Sequence, residues 1–296
     1  MQPNFFIVGA PKCGTTSMAQ YLNQHPDVFV LRGEPHFFGS DIEYNRPRLT
    51  RRQYLSICGR NGGKSLVGDR STWYLYSKRA AAEIHEFNPD ARIIAMLRNP
   101  VEMIRSLHRH QFQRGQRDDI ERLEDALDAE PERRLGRRLP ANVRFPGSLL
   151  YSEIPRYSDQ LQRYIDRFGR DRVHVILFDD LKSKPGATYA ETLDFLGVDP
   201  SFVPDFRVHN AAAPMPKWAP YRIWKASTLR YRIRSIVPEG LYSAIRERRR
   251  KQLSDAAEQR PPPPMDAALR NRLCRDFAAE VDRLQALIDR NLESWR

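Results

Sequence analysis

Cysteine is scarce and follows no pattern: Cys13, Cys58 and Cys274 are the only three, odd in number and far apart. That excludes a disulfide framework and any thiol spacing suited to a metal, and a reducing compartment is the simplest expectation. Histidine does not fill the gap, because His25, His85, His108, His110 and His174 form no ligand grouping. No metal is therefore expected to be required. Long apolar runs are missing as well, which excludes a membrane-spanning helix. The first apolar run starts at Phe5, so no signal peptide is expected. Internal repeats are absent.

Acid is in short supply. Against 49 Lys and Arg stand 37 Asp and Glu, a net charge of +12. Such an excess suits nucleotides, sulfated or phosphorylated substrates, nucleic acid or an acidic membrane, and does not choose among them. A nucleic-acid binder would need a groove-reading helix or a stacking platform, and the Arg-rich segments contain no such motif. The 296 residues, 41% apolar and 10% aromatic, suffice for a substantial soluble core.

What is present begins at once. Phe5 to Val8 is a short apolar, aromatic and β-branched run that predicts a buried strand. Gly9 and Pro11 break it. After Gly14, the apolar residues Met18, Ala19, Tyr21 and Leu22 recur at helical spacing. Strand, glycine loop and helix form a layout in which backbone N–H groups and the helix dipole face an anion. Gly9 and Gly14 have the spacing of a P-loop. In nucleotide triphosphatases, however, lysine directly follows the second glycine. Here Thr15 stands there and the lysine lies inside the loop, at Lys12, which disfavours an ATP-dependent phosphotransferase. A tight turn that binds nothing would explain a lone glycine pair. Pro11-Lys12, Gly14-Thr15-Thr16 and the flanking elements together weigh towards an anion site.

This stretch resembles the 5′-phosphosulfate loop of sulfotransferases that use 3′-phosphoadenosine 5′-phosphosulfate (PAPS), in particular the heparan-sulfate-type and related bacterial carbohydrate branch. The resemblance implies an α/β, P-loop-like three-layer fold with a central parallel β-sheet flanked by helices. It implies that Pro11, Lys12, Cys13, Gly14, Thr15, Thr16 and Ser17 hold the 5′ end of the cofactor, with Lys12 on the leaving group. Golgi members are membrane-anchored, so this chain resembles a soluble, bacterial, cytoplasmic form.

Further along, Val28 to Leu31 predicts a second buried strand leading to Gly33-Glu34-Pro35-His36-Phe37-Phe38. In an open parallel sheet ligands sit beyond the carboxyl ends of the strands, so Glu34 and His36 belong at the rim of the glycine loop. This segment resembles the Glu-x-His-Phe-Phe of heparan-type enzymes, whose Glu is the catalytic base. Glu34 is accordingly the expected base. His36 is the rival, since cytosolic members use His, and a structural role between Pro35 and two Phe is the alternative for it. The continuous run Ile93 to Leu97 predicts an interior strand, ended by Arg98. Asn99 as N-cap, Pro100 at the first helical position and Glu102 closing a capping box predict a helix to about His110. Arg98 and, eight residues on, Ser106 match the family's pair on the 3′-phosphate, where a guanidinium fork suits a doubly charged group. Asp69-Arg70-Ser71-Thr72-Trp73-Tyr74 falls where the family carries Glu-Lys-Thr/Ser-Pro-x-Tyr. The match implies Arg70 near the sulfate or acceptor, with Trp73 and His36 on the acceptor side. A surface loop braced by Trp73 and Tyr74 is the alternative. Lys217 lies where the family often places a further basic residue on the 3′-phosphate.

The remaining stretches carry less. Residues 113–150 are dense in charge and predict a mobile or helical excursion rather than core. Tyr151 to Phe168 is helically patterned, Val173 to Phe178 predicts a strand, and Thr188 to Leu196 predicts a helix stopped by Gly197. The basic segment 221–264, with its aromatic part 221–252, suits a solvated helix face or peripheral contact with an anionic membrane. A closing helix is expected within 265–296, making 1–296 a single domain. The implied reaction is sulfuryl transfer from PAPS to a hydroxyl of a carbohydrate or glycoconjugate. Sulfation of a lipid or small-molecule hydroxyl is the alternative, and neither acceptor nor oligomeric state is legible.

Overall fold

The computed structural model describes residues 1–113, 117–206 and 265–296. Among them are the strands β1 (Phe5–Gly9), β2 (Val28–Val30), β3 (Leu66–Arg70), β4 (Arg92–Leu97) and β5 (Val173–Leu177). They form one five-stranded sheet in the order β2-β3-β1-β4-β5, parallel throughout. Helices flank it, so the expected α/β architecture is the observed one. Phe5 to Val8 and Ile93 to Leu97 are completely buried, which is why both read as unbroken apolar runs rather than alternating ones. Gly68 in β3 lies beneath the Phe5 ring, where a Cβ would come within 2.2 Å of Cζ.

The helices are α1 (Thr15–Leu22), α2 (Arg51–Cys58), α3 (Ala80–Phe87), α4 (Pro100–Gln113), α5 (Leu123–Asp128), α6 (Glu130–Arg134), α7 (Tyr157–Phe168), α8 (Phe178–Ser183), α9 (Pro185–Leu196) and α10 (Ala267–Ile288). α7 packs on β4 and β5 and is covered in turn by α3 and α10. Leu269, Leu273, Phe277, Val281, Leu284 and Ile288 bury one stripe of α10, as their spacing requires. The chain end is pinned near α4, where Asn99 Nδ2 donates to the Trp295 carbonyl at 3.2 Å and Trp295 Nε1 donates to Asp179 at 2.8 Å.

Strand order decides where function can sit. From β1 the chain moves to β2 and β3 on one side, then crosses to β4 and β5 on the other. The topological switch therefore lies between β1 and β4, and the crevice at their carboxyl ends is the expected ligand position.

Several expectations are corrected in detail. Asn99 does cap α4, its Oδ1 accepting from the N–H groups of Val101 and Glu102. The Glu102 carboxylate, however, is engaged by Arg270 at 2.7 Å rather than closing a capping box. α7 starts at Tyr157, not Tyr151, because residues 151–155 form turns. The excursion is not outside the core. Asp118 and Arg133 are fully buried and joined by two hydrogen bonds, of 2.6 and 3.2 Å, and the Tyr151 hydroxyl donates to Asp118 at 2.6 Å. A run with few large apolar residues thus anchors through a paired buried charge. Lys217 and the segment 221–264 lie outside the described residues.

Candidate active site

Neighbouring strands end side by side, and each delivers one component to the same rim. β1 runs into the glycine loop, β4 is followed directly by Arg98, β3 ends at Arg70, and the segment after β2 carries Glu34. Read across the sheet, the order is Glu34, Arg70, loop, Arg98.

The loop is built by its glycines. Gly14 has φ 85° and is the N-cap of α1, with no side chain capping the helix. A Cβ on Gly14 would approach Leu181 Cδ2 to 2.9 Å, and one on Gly9 would meet the Thr72 carbonyl oxygen at 2.7 Å. Lys12 also takes a positive φ, of 67°. The first N–H groups of a helix have no intrahelical acceptor. Here no acidic residue occupies the first turn of α1 either, so the cradle suits an anion from outside. Thr16 and Ser17 are half-buried in that turn. Cys13 is fully buried, with Sγ 3.5 Å from the Pro11 carbonyl. Burial pushes its thiol up to about 12 against the opposing pull of Arg98. The side chain is therefore a packing group, and only its backbone faces the loop's chemistry.

Arg98 Nη1 donates to the Lys12 carbonyl at 3.4 Å, and its guanidinium lies 4.6 Å over the Phe178 ring. Loop and arginine thus share one crevice. Ser106 is half-buried within α4, about two helical turns beyond Arg98.

On the other side, Arg70 Nη1 donates to Glu34 Oε1 at 2.8 Å and to Thr16 Oγ1 at 3.4 Å, while Nη2 donates to the Gly33 carbonyl at 3.1 Å. Glu34 Oε2 accepts from Thr72 Oγ1 at 3.3 Å, from His36 Nε2 at 2.9 Å and, at 3.5 Å, from Arg144 Nη1. Burial opposes the charge on Glu34, but His36, Arg70 and Arg144 outweigh it and hold the carboxyl below its usual range. His36 is buried, and burial pushes its ring down to about 4 against the pull of Glu34. The neutral ring gives its Nε2 proton to Glu34 and accepts from the Tyr44 hydroxyl at Nδ1, at 3.1 Å. Both nitrogens are thereby occupied.

A hydroxyl network fixes this segment. The Ser71 hydroxyl accepts from the His36 N–H at 3.0 Å, and the Tyr74 hydroxyl accepts from the Phe37 N–H at 2.9 Å. Both hydroxyls donate to buried Asp69 at 2.8 Å, as does Tyr54. Burial pushes the Asp69 carboxyl up to about 6 despite these donors. Trp73, expected on the acceptor side, is buried and packs edge-on against Phe145 at 4.9 Å. It braces the loop and does not line the crevice. Thr72, Tyr44 and Arg144 went unrecognised in the sequence. Thr72 stands where the resembling motif has proline, which was a usable signal. Arg144 lies in a charge-dense stretch that offered none.

A parallel α/β sheet with a glycine-built strand-to-helix loop at its switch point defines a protein with a P-loop-like α/β fold. The comparisons narrow that class. A model of the sulfotransferase domain matches residues 2–209, and the chain belongs to the sulfotransferase family. The crystal structure of a sulfotransferase from Alicyclobacillus acidocaldarius is similar over 100% of this chain and 99% of that one, with TM-score 0.73 and 28% identity. Human heparan sulfate glucosamine 3-O-sulfotransferase 6 is 35% identical over 99 residues, 33% of this chain and 28% of that protein. Human heparan sulfate glucosamine 3-O-sulfotransferase 3B1 is 24% identical over 196 residues, 66% of this chain and 46% of that protein. The chain thus spans less than half the length of these curated relatives. No helix among the described residues is long and apolar enough to cross a membrane.

Proposed function

We propose that the chain transfers the sulfuryl group of PAPS to a hydroxyl of a carbohydrate or glycoconjugate, with Glu34 as general base. The observation that carries this reading is the continuous link from loop to carboxylate, in which one guanidinium nitrogen of Arg70 donates to both Thr16 and Glu34. A proton acceptor is thereby held beside an anion cradle. The donor supplies an activated sulfuryl group on a phosphate leaving group. The chain's residues do the rest. Backbone N–H groups of residues 13–17 and Lys12 hold the 5′ end, while Arg98 and Ser106 hold the 3′-phosphate. Glu34 takes the proton of the acceptor hydroxyl as that oxygen bonds to sulfur. The bond from sulfur to the bridging oxygen breaks, and Lys12 neutralises the charge left on the phosphate.

His36 is disfavoured as base because both its ring nitrogens are occupied and Nε2 already carries a proton directed at Glu34. Its role is to orient the carboxylate. The glycan acceptor is supported by the similarity to the two human heparan sulfate glucosamine 3-O-sulfotransferases.

Glu34→Gln tests the assignment. A positioned base contributes ~10²–10⁴-fold, so turnover should fall by that range while the affinity for adenosine 3′,5′-bisphosphate, measured by calorimetry, stays unchanged. Unaltered turnover removes Glu34 from the role. Calorimetric binding of ATP with magnesium in preference to the bisphosphate would replace the reading with phosphotransfer.

A further inference from the structure

A cavity of about 290 Å³ adjoins Glu34 through one of its lining residues, Arg144, whose Nη1 lies 3.5 Å from the carboxylate. Its lining includes Arg46, Arg117 and Arg144 with Tyr44, Asn45 and Asn142, and among the described residues it holds no carboxylate. Three guanidinium groups around one cavity of that size form a strong anion environment. The cavity is built rather than accidental. The Asn45 N–H donates to the Arg144 carbonyl at 2.8 Å and stitches its two loops together. The Tyr44 and Phe145 rings pack edge-on at 5.3 Å across the same seam. Arg46 Nη2 donates to the carbonyls of Glu34 and Pro35, at 3.0 and 3.1 Å. Arg117 directly precedes Asp118, which the buried Arg133 and Tyr151 hold in place.

Arg144 connects this cavity to the reacting carboxylate. Its contact with Glu34 is 3.5 Å, against 2.8 Å for Arg70, and charge-assisted hydrogen bonds are ordinarily about 2.7–2.9 Å. Arg144 is therefore the exchangeable partner, and a competing anion in the cavity would draw it away from Glu34.

We propose that this cavity takes an anionic group of the acceptor, a carboxylate, sulfate or phosphate ester, and that Arg144 leaves Glu34 for that group. The acceptor's charge would then release the base that deprotonates its hydroxyl. A carboxylate relieved of one guanidinium is the stronger base, and general-base efficiency rises as the pKa climbs towards the working pH. The inference rests on the sulfuryl-transfer reading above, and bisphosphate binding separates the two failures.

The test uses the full chain loaded with adenosine 3′,5′-bisphosphate. Its probes are a hyaluronan tetrasaccharide, the neutral carboxyl-reduced form of the same tetrasaccharide, and that neutral form carrying a phosphate monoester. The anionic probes should bind at least ~10-fold tighter than the neutral one, and the stronger of the two identifies the anion type. In turnover with PAPS, Arg144→Gln should erase the KM advantage of the anionic probe and raise kcat for the neutral one severalfold. A merely structural arginine would instead slow both probes alike. Arg117→Gln provides a variant away from Glu34 and should weaken anionic binding without raising neutral kcat. If the bisphosphate does not bind, the sulfotransfer reading itself fails. If it binds, but the charged and neutral probes bind alike or not at all, or Arg144→Gln slows both, the cavity assignment is overturned.

Discussion

Arg70 Nη1 lies 2.8 Å from Glu34 Oε1 and 3.4 Å from Thr16 Oγ1, so one guanidinium fixes the distance between the carboxylate and the anion loop. Its second nitrogen is tied to the Gly33 carbonyl, so the planar fork itself is used. Arg70→Lys keeps the charge but offers a point-like ammonium that cannot span these acceptors. Misplacement of a reacting group by ~1 Å costs on the order of 10²-fold. We therefore expect kcat to fall ~10–100-fold in Arg70→Lys while bisphosphate affinity stays within a few-fold. Steady-state kinetics alongside calorimetry checks this, and equal losses in both would show that Arg70 serves donor binding instead.

Tyr74 predicts a coupling between buried polar satisfaction and rate. Its hydroxyl donates to Asp69 and accepts from the N–H of Phe37. Tyr74→Phe strands the Phe37 N–H and deprives Asp69 of one of three donors. Leaving a buried polar group unsatisfied costs about 1–3 kcal/mol, which urea unfolding should register. Because that N–H belongs to the segment carrying Glu34 and His36, kcat should fall with KM for the donor little changed. A stability loss of that size with unchanged kcat would confine Tyr74 to packing.

The sheet was legible because its strands are covered on both faces and their side chains say so: Phe5 to Val8 and Ile93 to Leu97 need no partner to be recognised. Once those strands were read as parallel, the common rim of Glu34, the loop and Arg98 followed from topology. Arg144 was not legible, because it lies in a charge-dense stretch 110 positions from Glu34 and meets it only through the folded chain. Trp73 misled for the opposite reason. An aromatic beside a functional arginine resembles a platform for an acceptor, and only its burial, with Phe145 from a distant part of the chain packed against it, shows otherwise.

Gly14 predicts a backbone effect separable from side-chain chemistry. At φ 85°, with Leu181 Cδ2 2.9 Å from the position of a Cβ, Gly14→Ala must distort the loop or displace α8. Strain of this kind costs on the order of 1–3 kcal/mol. The cradle N–H groups would be re-aimed, so bisphosphate affinity should drop ~10-fold or more. Leu181→Ala in the same chain removes the shortest clash but leaves φ and the Phe178 ring, 3.1 Å from the Cβ position, unrelieved, and should restore affinity only in part. Full binding by Gly14→Ala alone would show that the loop does not hold the anion through its backbone.

Two histidines with lowered pKa values, His174 and His36, weaken the fold in acid. His174 in β5 lies against the Phe195 ring at 5.1 Å, and burial, with Arg170 nearby, pushes its ring down to about 4 from an ordinary 6.5. Its folded pKa is the lower one. Between about 6.5 and 4 the unfolded chain therefore binds a proton that the folded chain does not, and stability falls as pH falls through that window. The gap corresponds to about 3 kcal/mol at most, and partial exposure of the ring reduces the effect to the order of 1 kcal/mol. His36, also pushed down to about 4, acts in the same direction. Asp69, pushed up to about 6, acts oppositely between its ordinary 3.8 and that value. Both are common to wild type and variant and cancel in the comparison. Urea unfolding at pH 7 and pH 5 should show a smaller loss for His174→Gln than for wild type. An identical loss in the two proteins would mean that His174 is protonated as readily folded as unfolded.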